Sequence, residues 1–253
     1  MIEARSLCKQ YGSKIAVKDL DLTVHPGELF GFLGPNGAGK TTTIRMLAGL
    51  LKPSRGTATV AGFDILKDTL EVKRRIGYMA ESPYLYTKLT GREFLGFMGD
   101  LYSVERSVAA ERAQRLLVLF ELEDKADELV ESYSHGMRQK IALAGSLIHE
   151  PQLLFLDEPT SGLDPRSARV VKDLLVGLAE KGHTVFLSTH ILEIAQHMCH
   201  RVGIIDQGQL VAVGTLDELR QQARVGQVSL EEIFLQLTGG AEAREVAAFL
   251  EGN

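Results

Sequence analysis

The sequence predicts an α/β fold: a mixed sheet core, an inserted helical subdomain and a small helical C-terminal tail. Three observations predict it. Short β-rich runs alternate with helical stretches, the order expected of a mostly parallel sheet. From about 82 to 149 almost everything reads as helix. Beyond Thr215, two capping boxes, Thr215 with Glu218 and Ser229 with Glu232, open short helices. The predicted division is a domain over 1–238, with core segments 1–81 and 150–214 around a helical subdomain at 82–149, and an appendage over 215–253.

Each element carries its own signal. Glu28 to Leu33 reads as a buried strand, followed by a Gly-rich turn and a helix from about Lys40 to Leu51 that stops before Pro53. Gly56 to Asp64 reads as an antiparallel strand region. Asp68 with Glu71 predicts a capped short helix ending at Arg75, and Ile76 to Ala80 the next strand. In the middle segment Thr90 and Glu93 form a capping box, and Glu111 to Phe120 has helical apolar spacing. Strand signals return at Leu153 to Asp157, Thr184 to Ser188, Arg201 to Ile205 and Gln209 to Val213. Between the first two, Asp164 caps a helix that begins at Pro165.

Bulk properties narrow the function. With 253 residues, 45% of them hydrophobic and 24% charged, the chain can bury an ordinary core. Its formal net charge of -5 argues against a protein built to grip phosphate backbones, so no nucleic-acid partner is expected. Cys8 and Cys199 match no metal or redox spacing and read as free thiols in a reducing compartment. The opening residues lack the apolar stretch of a secretory signal, and no apolar run approaches the ~20 residues that span a bilayer. A soluble chain results, whose membrane role would come through a partner.

Gly34-Pro35-Asn36-Gly37-Ala38-Gly39-Lys40-Thr41 fits G-x-x-x-x-G-K-[ST] in full, between a strand and a helix. Glycines let such a loop wrap closely, so its N–H groups point at phosphate oxygens, and the helix N-terminus adds a positive field. The core is thereby that of a P-loop nucleoside triphosphatase. Lys40 supplies a point charge to the β- and γ-phosphates, the Thr41 hydroxyl can ligate Mg²⁺, and Thr42 can reach a further phosphate. Downstream, Leu153 to Leu156 is an apolar strand ending in Asp157 and Glu158. Carboxylates there sit where α/β sheets bind ligands. Asp157 is placed to hold Mg²⁺, leaving Glu158 to orient the attacking water.

These residues resemble one family, the ATP-binding cassette ATPases. Tyr133-Ser134-His135-Gly136-Met137-Arg138-Gln139 resembles the family's signature motif, Ser161-Gly162-Leu163-Asp164 its D-loop, and His190 its switch histidine. Tyr11-Gly12 sits where the adenine-stacking aromatic sits. The resemblance runs from about residue 2 to 238. Two positions depart from the family pattern: His135 replaces the first glycine of Leu-Ser-Gly-Gly-Gln, and Glu81 takes the place of a glutamine near Mg²⁺. A carboxylate at 81 still approaches the metal and water but cannot donate a hydrogen bond unless protonated. Both variants, and the tail with Ser229-Leu230-Glu231-Glu232-Ile233-Phe234, are similar to the drug, polysaccharide and antibiotic export branch.

The resemblance implies ATP and Mg²⁺ as ligands and a head-to-tail pair of cassettes, a homodimer by preference. Ser134 and Gly136 of one copy and Asp164 would meet ATP held by the other, while Glu158 orients water and His190 senses the γ-phosphate. It also implies separate transmembrane permease subunits and a place on the cytoplasmic face of the cell membrane. Six aromatics fall between Tyr78 and Tyr102. Tyr84 and Tyr86, in a loop beside Glu81, read as docking residues, while Phe94 and Phe97 are equally consistent with a subdomain core. His197, Cys199 and His200 read as a polar helix terminus, and Lys73-Arg74-Arg75 as a solvated helix face. A soluble ATPase acting on DNA or ribosomes and a P-loop kinase or GTPase remain the competing classes. The first is disfavoured by the absence of paired cassettes, coiled coils or metal modules. The second has no use for the signature motif, and the chain lacks the guanine-reading Asn-Lys-x-Asp.

Overall fold

The computed structural model describes residues 1–239 except Arg224 and Gln227. An antiparallel sheet holds β1 (Ile2–Tyr11), β2 (Lys14–Val24), β4 (Arg55–Val60) and β5 (Phe63–Asp64) in the order β2-β1-β4-β5. A six-stranded sheet holds β3 (Leu29–Leu33), β6 (Ile76–Met79), β7 (Leu153–Asp157), β8 (Thr184–Thr189), β9 (Arg201–Asp206) and β10 (Gln209–Gly214). Its order is β10-β9-β3-β8-β7-β6, parallel throughout except that β10 runs antiparallel to β9.

Strands β3, β7 and β8 are buried on both faces, as parallel strands covered on two sides must be. Their period of two sorts the side chains. Phe30, Phe32, Phe155 and Phe186 turn toward the antiparallel sheet and helix α1 (Lys40–Leu47), packing with Ile2, Leu7, Val17 and Ile44. Leu29, Leu154, Leu156, Val185 and Leu187 turn to the opposite face. There they meet α3 (Gly91–Leu101), α4 (Arg106–Leu119), α5 (His135–Leu147) and α6 (Pro165–Glu180), through Phe94, Leu117, Ile141 and Val171. A third cluster joins Leu33, Val202 and Ile204 to α7 (Leu192–Met198), α8 (Leu216–Gln222) and α9 (Leu230–Leu237) through Ala195, Leu219 and Ile233.

Several sequence expectations need correction. The sequence expectations begin at Glu28 and omit β1 and β2, in which left-handed residues at Ser6 (φ 47°) and Asp19 (φ 44°) and three register shifts confine the period of two to short stretches, Ile2 to Ala4 and Leu20 to Val24. Helix α1 ends at Leu47 rather than Leu51. Gly49 enters the left-handed region at φ 65°, and the N–H groups of Leu50 and Leu51 both return to the Arg45 carbonyl. Asp68 does not cap α2 (Thr69–Arg75). It accepts from the Asp64 N–H at 3.3 Å instead, while Glu71 bonds Arg74 and Arg75 at 2.8 and 2.6 Å. The segment 82–149 is less helical than expected: no helix forms at 82–90, and two single 3₁₀ turns lie between α4 and α5.

The capping boxes at Thr90, Thr215 and Ser229 all form, and Asp164 caps α6. His200 accepts from the Leu29 N–H at 2.9 Å, and burial pushes the Cys199 thiol up to about 12. Of the expected appendage, 240–253 lies outside the described residues. Among those described, no helix is long and apolar enough to cross a membrane.

Phe186 is the centre of an aromatic row. It pairs in register with Phe30 and Phe155, with ring centroids 5.4 and 5.5 Å away, and meets Phe32 at 5.3 Å. Phe186→Ala empties the space shared by three rings, so a loss of about 3–5 kcal/mol is expected, read as a lowered denaturant midpoint.

Candidate active site

The loop between β3 and α1 is shaped by two glycines. A Cβ on Gly34 would stand 2.3 Å from the Ile205 carbonyl oxygen, and one on Gly39, which caps α1 at φ 111°, would stand 2.5 Å from the Ala16 carbonyl oxygen. Only hydrogens fit, so the loop lies against the end of β9 and the start of β2. Lys40 is buried, and its Nζ donates to the carbonyls of Gly34 at 2.6 Å and Pro35 at 3.2 Å. Pro35 also accepts from the Ala38 N–H at 3.2 Å, and Ala38 packs into the core. Burial pushes the Lys40 ammonium below the usual lysine range, partly offset by Glu158, Asp157 and Glu81.

Asp157, the last residue of β7, is almost fully buried and accepts two hydroxyls. Thr41 Oγ1 donates to its Oδ2 at 2.6 Å, and Ser188 Oγ donates to its Oδ1. Glu158 follows in the left-handed region at φ 51°, uncommon for a glutamate, and is held there by its N–H bond to the Ser188 carbonyl at 3.1 Å. Its buried carboxylate meets Nδ1 of the exposed His190 at 2.9 Å.

A cleft of about 450 Å³ unites these groups. It is lined by Tyr11 and Lys14 from the β1–β2 hairpin, by Asn36, Gly37, Lys40, Thr41 and Thr42, and by the carboxylates Glu81, Asp157 and Glu158. Gly34, Pro35 and Ala38 hold the loop from behind. His190 reaches the cleft only through Glu158. Ser134, Gly136 and Asp164 do not line it.

Those last residues lie at two helix starts. Ser134 is exposed and caps α5 by accepting from the Met137 N–H at 3.3 Å, with Gly136 in the first turn. Asp164, also exposed, accepts from the Ser167 hydroxyl at 2.6 Å and the Ser167 N–H at 3.0 Å; these bonds hold its carboxyl below the usual range. Among the described residues one side-chain hydrogen bond ties α5 to the segment carrying Glu81: Gln139 Nε2 donates to the Glu81 carbonyl at 3.0 Å.

Sequence reasoning missed Ser188 and Lys14. Ser188 had a usable signal, since it sits at the end of a strand expected to run parallel to the one ending in Asp157. Ser188→Ala removes one of two hydroxyls that aim Asp157, and a hydrogen bond to a charged group contributes roughly 1.5–3 kcal/mol. Nucleotide hydrolysis about tenfold slower is the expected outcome, measured as phosphate release, with metal-free nucleotide binding unchanged.

Comparisons with known proteins establish the family. A family model described as ABC transporter matches residues 17–161. The linearmycin resistance ATP-binding protein LnrL of Bacillus subtilis is 40% identical over 219 residues, covering 87% of this chain and 70% of LnrL. The solved ATP binding subunit of an ABC transporter superposes with a TM-score of 0.90 at 33% identity, covering 94% of this chain and 99% of that one. The ATP-binding cassette MJ0796, in a dimeric post-hydrolysis state bound to ADP and Pi, superposes with a TM-score of 0.79 at 26% identity, covering 85% and 99%. Sequence, fold and cleft thus converge: the chain belongs to the ABC transporter family, as an ATP-binding and ATP-hydrolysing subunit.

Proposed function

We propose that two copies of this chain close head to tail around two ATP molecules, and that this closure drives export through a separate membrane permease at the cytoplasmic face of the cell membrane. One observation carries the reading. Ser134 and the N-terminus of the 13-residue helix α5 are exposed, lie outside the cleft of their own chain, and make an anion site at a helix start, with the Asp164 cap of α6 also exposed and outside that cleft. A partner's ATP is the anion that fits it. The dimeric state of MJ0796 and the antibiotic-resistance role in the name of LnrL support the pairing and the direction. The working division is an ATPase domain over 1–238, with core segments 1–81 and 150–214 and a helical subdomain at 82–149, and an appendage over 215–253.

Within one cleft, Tyr11 stacks on adenine, the loop from Gly34 to Gly39 wraps the phosphates, and Lys40 and Thr42 contact them. The hydroxyl of Thr41 and the carboxylate of Asp157, already 2.6 Å apart, form an all-oxygen pair suited to Mg²⁺, with Glu81 approaching from across the cleft. When bound, Mg²⁺ neutralises charge on the transferring phosphoryl group. Glu158 orients the attacking water and His190, bonded to it, contacts the γ-phosphate.

The permease meets the groove beside Glu81. This groove, about 520 Å³, is lined by Leu50, Tyr78, Tyr84, Tyr86 and Met98. Tyr84 is fully exposed, and Tyr86 lies edge-on to Phe97 with centroids 4.9 Å apart. The Gln139–Glu81 bond gives α5 a mechanical path from a partner's γ-phosphate to this groove.

Glu158→Gln is expected to bind ATP, to hydrolyse it at least about a hundredfold more slowly, and to accumulate as dimer in sedimentation with ATP but not with ADP. Wild-type turnover by that variant would refute the role of Glu158. Changing Tyr84 and Tyr86 together to Asp is expected to lower co-sedimentation with permease-containing membranes about tenfold, read by immunoblot, with ATP-dependent pairing of the Glu158→Gln form intact.

A further inference from the structure

His135 stands where the family pattern has glycine, so its side chain is an addition to the signature turn. Its ring is seated against Gly162. A Cβ built on Gly162 would lie 2.4 Å from His135 Cδ2 and 2.6 Å from its Nε2, so the imidazole fills the space a side chain at 162 would need. A Cβ on the neighbouring Gly136 would come within 3.6 Å of both the Gly162 carbonyl oxygen and Leu163 Cδ2. Two consecutive residues of α5 therefore run along the 161–164 turn. Gly162 itself sits at φ 71°, so the turn is shaped for a residue without a side chain on the face the ring covers.

The two elements joined here each end in a cap the ATP site needs. Ser134 opens α5 immediately before His135, and Asp164 opens α6 two residues after Gly162. Both caps are exposed and outside the cleft of their own chain. No hydrogen bond links the two caps among the described residues. At the turns themselves the contacts between the two elements are the ring on Gly162 and the approach of Gly136 to Gly162 and Leu163.

We infer that His135 is a positioning residue: its ring, packed on Gly162, fixes the signature turn and the Asp164 turn as one surface for the partner copy. The inference rests on the paired reading proposed above. With glycine at 135 the two turns would lose this contact and could shift independently, so the cost falls on pairing and not on nucleotide binding within one cleft.

The test uses the full chain carrying Glu158→Gln, with the ATP-dependent dimer dissociation constant read by analytical ultracentrifugation and ADP affinity by calorimetry. His135→Gly is expected to weaken pairing about tenfold while ADP affinity stays within about twofold. His135→Gln, which keeps a flat polar group of similar reach, is expected to restore most of that loss. Gly162→Ala is expected to weaken pairing about tenfold more when His135 is present than in the His135→Gly background, where only its backbone cost remains. Additive effects, pairing of His135→Gly within about twofold of the parent, or a parallel fall in ADP affinity would each overturn the inference. Failure of the Glu158→Gln parent to pair would instead sink the two-copy reading, and this inference with it.

Discussion

The level ends of three parallel strands govern this molecule. Asp157 pairs with Ser188 across β7 and β8, and Leu33 pairs with Thr189 across β3 and β8, so the loop after β3 leaves the sheet beside both acids. Because these strands are apolar on both faces, polar groups can gather only where they end. Asp157 then takes one hydroxyl from the phosphate loop's helix and one from β8. That pair of bonds ties the loop, the metal-type carboxylate and the strand before His190 into one unit. Glu158 accepts an unfavourable backbone conformation as part of the same unit, a cost of order 1–3 kcal/mol that the core packing behind it sustains.

What the sequence disclosed follows from which interactions are local. The phosphate loop is legible because its chemistry is made of backbone and glycine, which a spacing rule captures. Asp164, Thr90, Thr215 and Ser229 are legible as caps because a cap and its N–H are three residues apart. The Asp68 signal has the same form but fails, since the Asp64 N–H competes for its carboxylate and the two arginines claim Glu71. Ser188 acts through strand register and the ring of His135 through a turn 27 residues away, so neither could be read from spacing. Strands β1 and β2 are a third case: bulges confine the alternation to short stretches, Ile2 to Ala4 and Leu20 to Val24, too brief to mark strands of ten and eleven residues.

Charge explains why the cleft asks for a ligand. Three carboxylates, Glu81, Asp157 and Glu158, line it beside two ammonium groups, Lys14 on β2 and Lys40, and the Lys40 ammonium turns back onto the carbonyls of its own loop. A triphosphate alone would meet the two lysines and the loop's N–H groups favourably but would crowd the three carboxylates. A hard divalent cation between phosphate and Asp157 reverses the sign of that contact. The donor set thus favours metal and nucleotide together over either one alone.

The same accounting bears on pairing. The first N–H groups of a helix have no partner within it. In α5 the Ser134 hydroxyl engages that of Met137, leaving the start of the helix as a positive surface facing solvent. Nothing in the chain's own cleft reaches it, yet Gln139, one turn further along, is bonded to the loop that carries Glu81. An anion arriving at the helix start from a second copy would therefore bear on Glu81 of the first through a single rigid turn. Loss of the terminal phosphate removes that anion and the reason for the two surfaces to stay together. In the proposed cycle, motion comes from this: the helix start that binds the phosphate and the cleft that cleaves it belong to different copies, so breaking one bond releases an interface.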